Sequence, residues 1–211
     1  TSNIFWVNAK DIAINLTKLY SFISNLGIYK YKNQDVEFVK INFKIVTPID
    51  TDYIKDAVIN FAIRQNNPKL LEKLYSGRRS HFDQSSFENI HKKRELNFYQ
   101  GEPESQCFFF EGKVWEISKE RITIKSYSSL NFYVWEEQII DFLPILEADY
   151  YQVELIDGKY TFLLNDTNSD FLRFVINTSN INKEDATTFN DDLSRHILSK
   201  ITAIGYLLHT Y

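Results

Sequence analysis

Between Cys107 and Asp141 apolar and polar positions alternate in short runs, the pattern of strands with one packed face. Cys107 to Phe110 reads as a strand, and Glu111-Gly112 as a two-residue turn in which Gly112 takes a positive φ. Lys113–Ile117 returns, with Val114, Glu116 and Ser118 on one face and Lys113, Trp115 and Ile117 on the other. Arg121–Tyr127 alternates again, Ile122 and Ile124 facing one way. Tyr133, Val134 and Trp135 open a further apolar run that closes at Gln138-Ile139-Ile140-Asp141. The stretch predicts an antiparallel meander with one buried face.

Ahead of it the period changes to that of helices. Asn15 is an N-cap for Leu16–Leu26, where Leu16, Leu19, Tyr20, Ile23 and Leu26 share a face, and Gly27 follows as a C′ residue. Extended pieces are expected at Ile28–Tyr31, Val36–Ile41 and Lys44–Val46, with a polar turn at Asn33-Gln34-Asp35 and a stop at Thr47-Pro48. Asp50 caps a second helix with the stripe Ile54, Ala57, Val58, Phe61 and Ala62. Asn67-Pro68 starts a third, whose buried face is Leu70, Leu71, Leu74 and Tyr75 and whose end is Gly77. Residues 76–106 are polar, with a short helix near Ser86–Lys93, and read as a linker or exposed loop.

After the meander, Tyr151–Ile156 and Lys159–Leu164 flank Asp157-Gly158, a strong hairpin signal. Ser169 or Asp170 opens a helix through Phe171, Leu172, Phe174 and Val175; a polar break at Asn177–Lys183 precedes a last helix over Asp192–His209. The expected class is α+β: an N-terminal helix–strand–helix module, a central antiparallel β-meander and C-terminal helices. The expected division is an α/β module over 1–75, an irregular basic linker over 76–106, and an antiparallel sheet with C-terminal helices over 107–211.

Composition supports a packed core in a chain of 211 residues, with 44% hydrophobic and 25% charged residues. The net charge of −4 is unevenly spread. Between Arg64 and Glu95 eight Lys/Arg face four Asp/Glu, a local +4, whereas between Asp141 and Asp192 eleven acids face three bases, a local −8. A basic surface is therefore compatible with an acidic total. The single Cys107 allows no internal disulfide and no cysteine zinc site, and its apolar setting reads as a buried thiol. No apolar run is long enough to cross a bilayer, and residues 1–30 lack a signal peptide's pattern, so the expectation is a cytoplasmic protein without a membrane partner. Methionine is absent, including at position 1, which implies a fragment or a processed chain.

Candidate chemistry is sparse. Arg78 and Arg79 beside His81, and Lys92, Lys93 and Arg94 after His91, form two basic clusters suited to nucleic-acid phosphates, where Lys and Arg displace counterions; the bland reading is a solvated basic loop. The four histidines, His81, His91, His196 and His209, have no metal-ligand spacing. Asp50, Asp52 and Asp56 sit at a helix start, where acids are stabilising without a metal. Glu102 and Glu104 are not marked as an acid/base pair, and no nucleophile–base arrangement is legible. Phe108–Phe110, Trp115, Tyr133 and Trp135 suit either base stacking or a sheet core, the core reading being the default.

The runs FFF-EGKVWEISKERITI from Phe108, YVWEEQIID from Tyr133 and AIGYLLHTY from Ala203 resemble the region preceding the ATPase core in replicative primase-helicases of Bacteroidetes phages, plasmids and integrated elements, whose motor is of the virus-type superfamily 3. Asn25 to Tyr31 and the Ile54-Lys55-Asp56 helix fit the same pattern, so the resemblance covers most of the chain. There are two departures: Phe142-Leu143-Pro144 follows the Trp135–Asp141 element, and no G-x-x-x-x-G-K-[ST] phosphate loop occurs. The resemblance implies a non-catalytic accessory region of a mobile-element replicative helicase, positioning DNA or organising the ring. It implies no cofactor in this chain, ATP and Mg belonging to the motor, and candidate DNA contacts at Arg78, Arg79, Lys92, Lys93 and Arg94. The terminal apolar helix is expected to pack on its own sheet or to form a collar in a homo-oligomer. The alternative reading is a protein–protein interaction domain without a nucleic-acid role.

Overall fold

The computed structural model describes residues 5–8, 11–31, 36–77, 81–93, 95–145, 149–165, 168–179 and 191–208. The class is α+β, with six helices and four small sheets among the described residues. The chain forms two compact units, 1–100 with 107–142, and 101–106 with 143–211. This differs from the division read from the sequence, with its breaks around 76–106: the meander groups with the amino-terminal module.

The first unit begins with a hairpin of β1 (Trp6–Asn8) and β2 (Ile12–Ile14). Strands of three residues are too short to show a period in the sequence. Helix α1 (Leu16–Asn25) starts where Asn15 Oδ1 accepts the Lys18 N–H at 3.0 Å. It ends at Gly27, whose φ of +81 carries the chain into β3 (Ile28–Lys30). Strands β4 (Phe38–Asn42) and β5 (Ile45–Ile49) follow. The stop expected at Thr47-Pro48 is not there: Pro48 pairs opposite Val39 inside β5. Strand β9 (Val134–Trp135) covers only Ile45 and Val46 on the other side of β5, so no neighbour there requires the donor that Pro48 lacks.

Helix α2 (Thr51–Arg64) is capped by Asp50, whose Oδ1 accepts the Tyr53 N–H at 2.7 Å, and it buries Ile54, Val58 and Ala62. Helix α3 (Pro68–Ser76) is capped by Asn67 and buries Leu70 and Leu74, while Tyr75 is exposed. Residues 82–90 are not the exposed loop expected. Phe82, Phe87 and Ile90, around the short helix α4 (Gln84–Phe87), are buried in the same core as Phe5, Leu19, Ile23, Phe38 and Val58. Three large apolar side chains spread through polar sequence are too few to mark a buried face, which is why only the packing reveals them.

The meander is a three-stranded sheet of β6 (Ser105–Phe110), β7 (Lys113–Ser118) and β8 (Ile122–Lys125), turning at Gly112 with φ +74. Its packed face holds Cys107, Phe109 and Val114 with Tyr127, Leu130 and Val134, whereas Ile122 and Ile124 are exposed. The fourth apolar run leaves the meander. Val134 and Trp135 pair in parallel with Ile45 and Val46, giving a sheet in the order β3-β4-β5-β9.

The second unit carries the hairpin of β10 (Tyr151–Ile156) and β11 (Lys159–Leu164). Both turn residues have positive φ, Asp157 at 49 and Gly158 at 77, as a type I′ turn requires. Helix α5 (Asp170–Ser179) starts where Ser169 Oγ accepts the Leu172 N–H at 3.2 Å, and α6 (Asp191–Leu208) follows. Phe162, Leu172, Val175, Ile176, Leu193 and Ile197 form the core of this unit.

Candidate nucleic-acid interface

The β3-β4-β5-β9 sheet has two outer edges, and one segment occupies both. At the β3 edge the Lys30 N–H donates to the His91 carbonyl at 3.0 Å, and the Lys93 N–H donates to the Lys30 carbonyl at 2.9 Å. At the β9 edge the Tyr133 N–H donates to the Asn97 carbonyl at 2.7 Å, and the Tyr99 N–H donates to the Tyr133 carbonyl at 3.1 Å. Both pairings are parallel. His91–Tyr99 is thus a strap whose ends are hydrogen-bonded to the two edges of one sheet, leaving neither edge open there.

The strap is pinned by a buried charge. Lys30 on β3 faces the helices with its side chain 7% exposed, and its Nζ lies 2.5 Å from Glu88 and 3.4 Å from Glu37. The hydrogen bond to Glu88 is the main reason its pKa is raised above the usual lysine value; burial alone would lower it. Glu88 lies just before the strap, so this ion pair ties the strap's start to the sheet.

The other face of the sheet carries rings. Tyr29 and Tyr31 are two residues apart and share that face, and the Tyr31 N–H continues the ladder to the Glu37 carbonyl at 2.8 Å. Phe98 from the strap stacks on Trp135, centroids 4.4 Å apart and planes 11° apart. Tyr31 lies 6.3 Å from Trp135 and 6.4 Å from Phe98, and Tyr133 lies 6.4 Å from Phe98. All four rings are half-buried. Beneath them Val39 and Val46 are fully buried.

Two lysines border these rings, and a third, Lys92, stands beside one of them on the strap, bridged to Lys30. Lys93 Nζ sits 5.3 Å from the Tyr29 ring centroid and Lys44 Nζ sits 4.5 Å from that of Tyr133. Lys92 is exposed on the strap. Among the described residues none of the three has a carboxylate partner, unlike Lys30, Lys55, Lys73 and Lys125. Phe43, in the turn between β4 and β5, is 70% exposed with φ +53. The arrangement offers cations to an anionic backbone and ring faces to planar groups.

The sequence-predicted contacts divide accordingly. Lys92 and Lys93 stand on the strap; Arg78, Arg79 and Arg94 lie outside the described residues. Of the aromatic candidates, Phe109, Phe110 and Trp115 are buried, whereas Tyr133 and Trp135 join the half-exposed cluster. Sequence reasoning missed Tyr31, Phe98, Phe43 and Lys44. The Tyr29/Tyr31 alternation was a usable signal for one of them; Phe98, beside Tyr99 in a segment with no strand or helix period, gave none. No group of three or more His, Cys, Asp or Glu able to hold a metal ion exists among the described residues. No described helix is long and apolar enough to cross a membrane.

The charge split follows the two units. The first carries 19 Lys/Arg against 16 Asp/Glu, a net +3, and the second 5 against 12, a net −7. No protein-family model, curated protein or solved structure matches the chain.

Proposed function

We propose that this chain is a non-catalytic accessory region of a mobile-element replicative helicase or primase-helicase, working in the cytoplasm and positioning DNA through its first unit. The observation that carries the reading is Lys44 and Lys93, with no carboxylate partner among the described residues, over Tyr133 and Tyr29 on the face that also carries the half-exposed rings of Tyr31, Phe98 and Trp135, with Lys92 exposed next to Lys93. A sheet edge that holds the strap lysines by backbone hydrogen bonds presents them at lower entropic cost than a free loop would. The net +3 of this unit favours a polyanion, while the net −7 of the second disfavours one. ATP and Mg would act in a motor segment and not in these residues.

Fluorescence anisotropy with labelled single-stranded and forked oligonucleotides at two salt concentrations tests the reading. Binding is expected to weaken with salt. Replacing Lys44, Lys92 and Lys93 by Glu lowers the slope of log affinity against log salt by about 2, at roughly 0.7 per single-strand phosphate contact. Adding Arg78, Arg79 and Arg94 to the set abolishes binding. Wild-type protein that binds at neither salt overturns the reading.

A protein–protein interaction role is the second reading, favoured by the acidic second unit with Leu155, Tyr160, Phe171 and Phe174 exposed. Self-association of a chain that ignores DNA at both salts would select it.

A further inference from the structure

Phe43 is out of keeping with its place. The turn between β4 and β5 has two residues, Phe43 and Lys44, and Phe43 takes φ +53. That left-handed region suits Gly or Asn, and a bulky side chain there is strained. Burial does not repay the strain within the described residues, because the ring is 70% exposed. Its neighbours point to an anionic, ring-bearing ligand. Lys44 beside it has no carboxylate partner among the described residues and lies over the Tyr133 ring at 4.5 Å. The Lys44 carbonyl accepts the Val134 N–H at 2.9 Å, so the turn is fastened to the strand that bears Trp135.

We propose that Phe43 is a stacking residue for an unpaired base, and that the ligand of this unit is single-stranded nucleic acid, not duplex. This deepens the function proposed above and rests on it. A base paired and stacked within a duplex offers its faces to its neighbours, so an exposed ring gains a partner only where the strand is single. Lys44, one residue on, supplies the cation for the adjoining phosphate. The two-residue turn that carries the ring is hydrogen-bonded to β9 through the Lys44 carbonyl, so little backbone freedom is lost when it stacks.

The experiment pairs stability with binding. Phe43→Gly relieves the left-handed strain, so the urea midpoint is expected to rise while affinity for a single-stranded oligonucleotide falls about tenfold, the order expected for one stacked base. Phe43→Tyr keeps the ring and retains binding; Phe43→Leu keeps bulk and strain without a ring and loses it. Fluorescence of 2-aminopurine in the oligonucleotide is quenched by the wild type and the Tyr variant only. Duplex of equal length binds more weakly than single strand to the wild type, and Phe43→Gly removes that preference. If Phe43→Gly and Phe43→Leu bind single strand as tightly as the wild type while the triple Lys→Glu variant does not, the stacking role is overturned and the DNA-positioning reading stands. If neither set of substitutions changes binding, both fall.

Discussion

Phe98 and Trp135 lie face to face with ring centroids 4.4 Å apart, one on the strap and the other on the last strand of the four-stranded sheet. The contact joins the strap to Trp135, whose strand partner Val46 is fully buried. Phe98→Ala should therefore destabilise the first unit. The ring is half-exposed, so the loss is about 2 kcal/mol, below that for a fully buried ring. Urea unfolding followed by tryptophan fluorescence reads this directly; Phe98→Tyr should leave the midpoint within a few tenths of a molar. An unchanged midpoint for Phe98→Ala would mean that the strap does not need this ring.

Gly77 faces His81 closely. A Cβ built on Gly77 would lie 2.3 Å from His81 Nε2, although the backbone there is compatible with any residue. Gly77→Ala should cost about 1–3 kcal/mol, and His81→Ala in the same chain should recover most of it, a coupling that a double-mutant cycle measures. Additive single effects would show that the ring moves aside freely.

The same histidine makes stability sensitive to mild acid. Burial, and then the Lys73 charge, hold the His81 imidazole below its usual 6.5. The unfolded chain therefore takes up this proton first. Stability should fall as pH drops through about 6.5 and level off below the folded value. His81→Ala should flatten that limb of a Tm-against-pH curve.

Tyr127 donates its hydroxyl to the Phe110 carbonyl at 2.8 Å, and burial pushes its pKa up from 10.0 to about 12. Tyr127→Phe removes that hydrogen bond and should cost about 1 kcal/mol. Between pH 10 and 12 the unfolded state loses this proton before the folded one, so the stability tied to the neutral phenol is present below 10 and disappears as pH rises through 12. Ultraviolet titration should show one tyrosine ionising last, and the Phe variant should lack it.

Near the end of α6, Leu207 is 80% exposed and Tyr206 63%. If this helix joins copies of the chain, sedimentation velocity should show a wild-type oligomer that Leu207→Glu converts to monomer without loss of helical circular dichroism. A monomeric wild type at high concentration would remove the collar from the account.

What the sequence by itself determined is local. Asn15, Asp50 and Asn67 start their helices because each side chain supplies an acceptor to an N–H three residues on, a relation contained within one turn. Glu111-Gly112 and Asp157-Gly158 turn where glycine admits positive φ, and the buried stripe of α2 follows from its period. The tertiary structure decided the pairings. Val134-Trp135 had the alternation of a meander strand, but alternation carries no information about which strand it will meet, and it pairs with Ile45-Val46. His91, Lys93, Asn97 and Tyr99 fell within the polar linker because their placement comes from backbone hydrogen bonds to Lys30 and Tyr133, which any residue but proline can make. The candidate interface lies where these long-range choices meet. Lys92 and Lys93 were legible as charge, whereas Tyr31, Phe98 and Lys44 became neighbours of Trp135 and Tyr133 only when one strap joined both edges of the sheet.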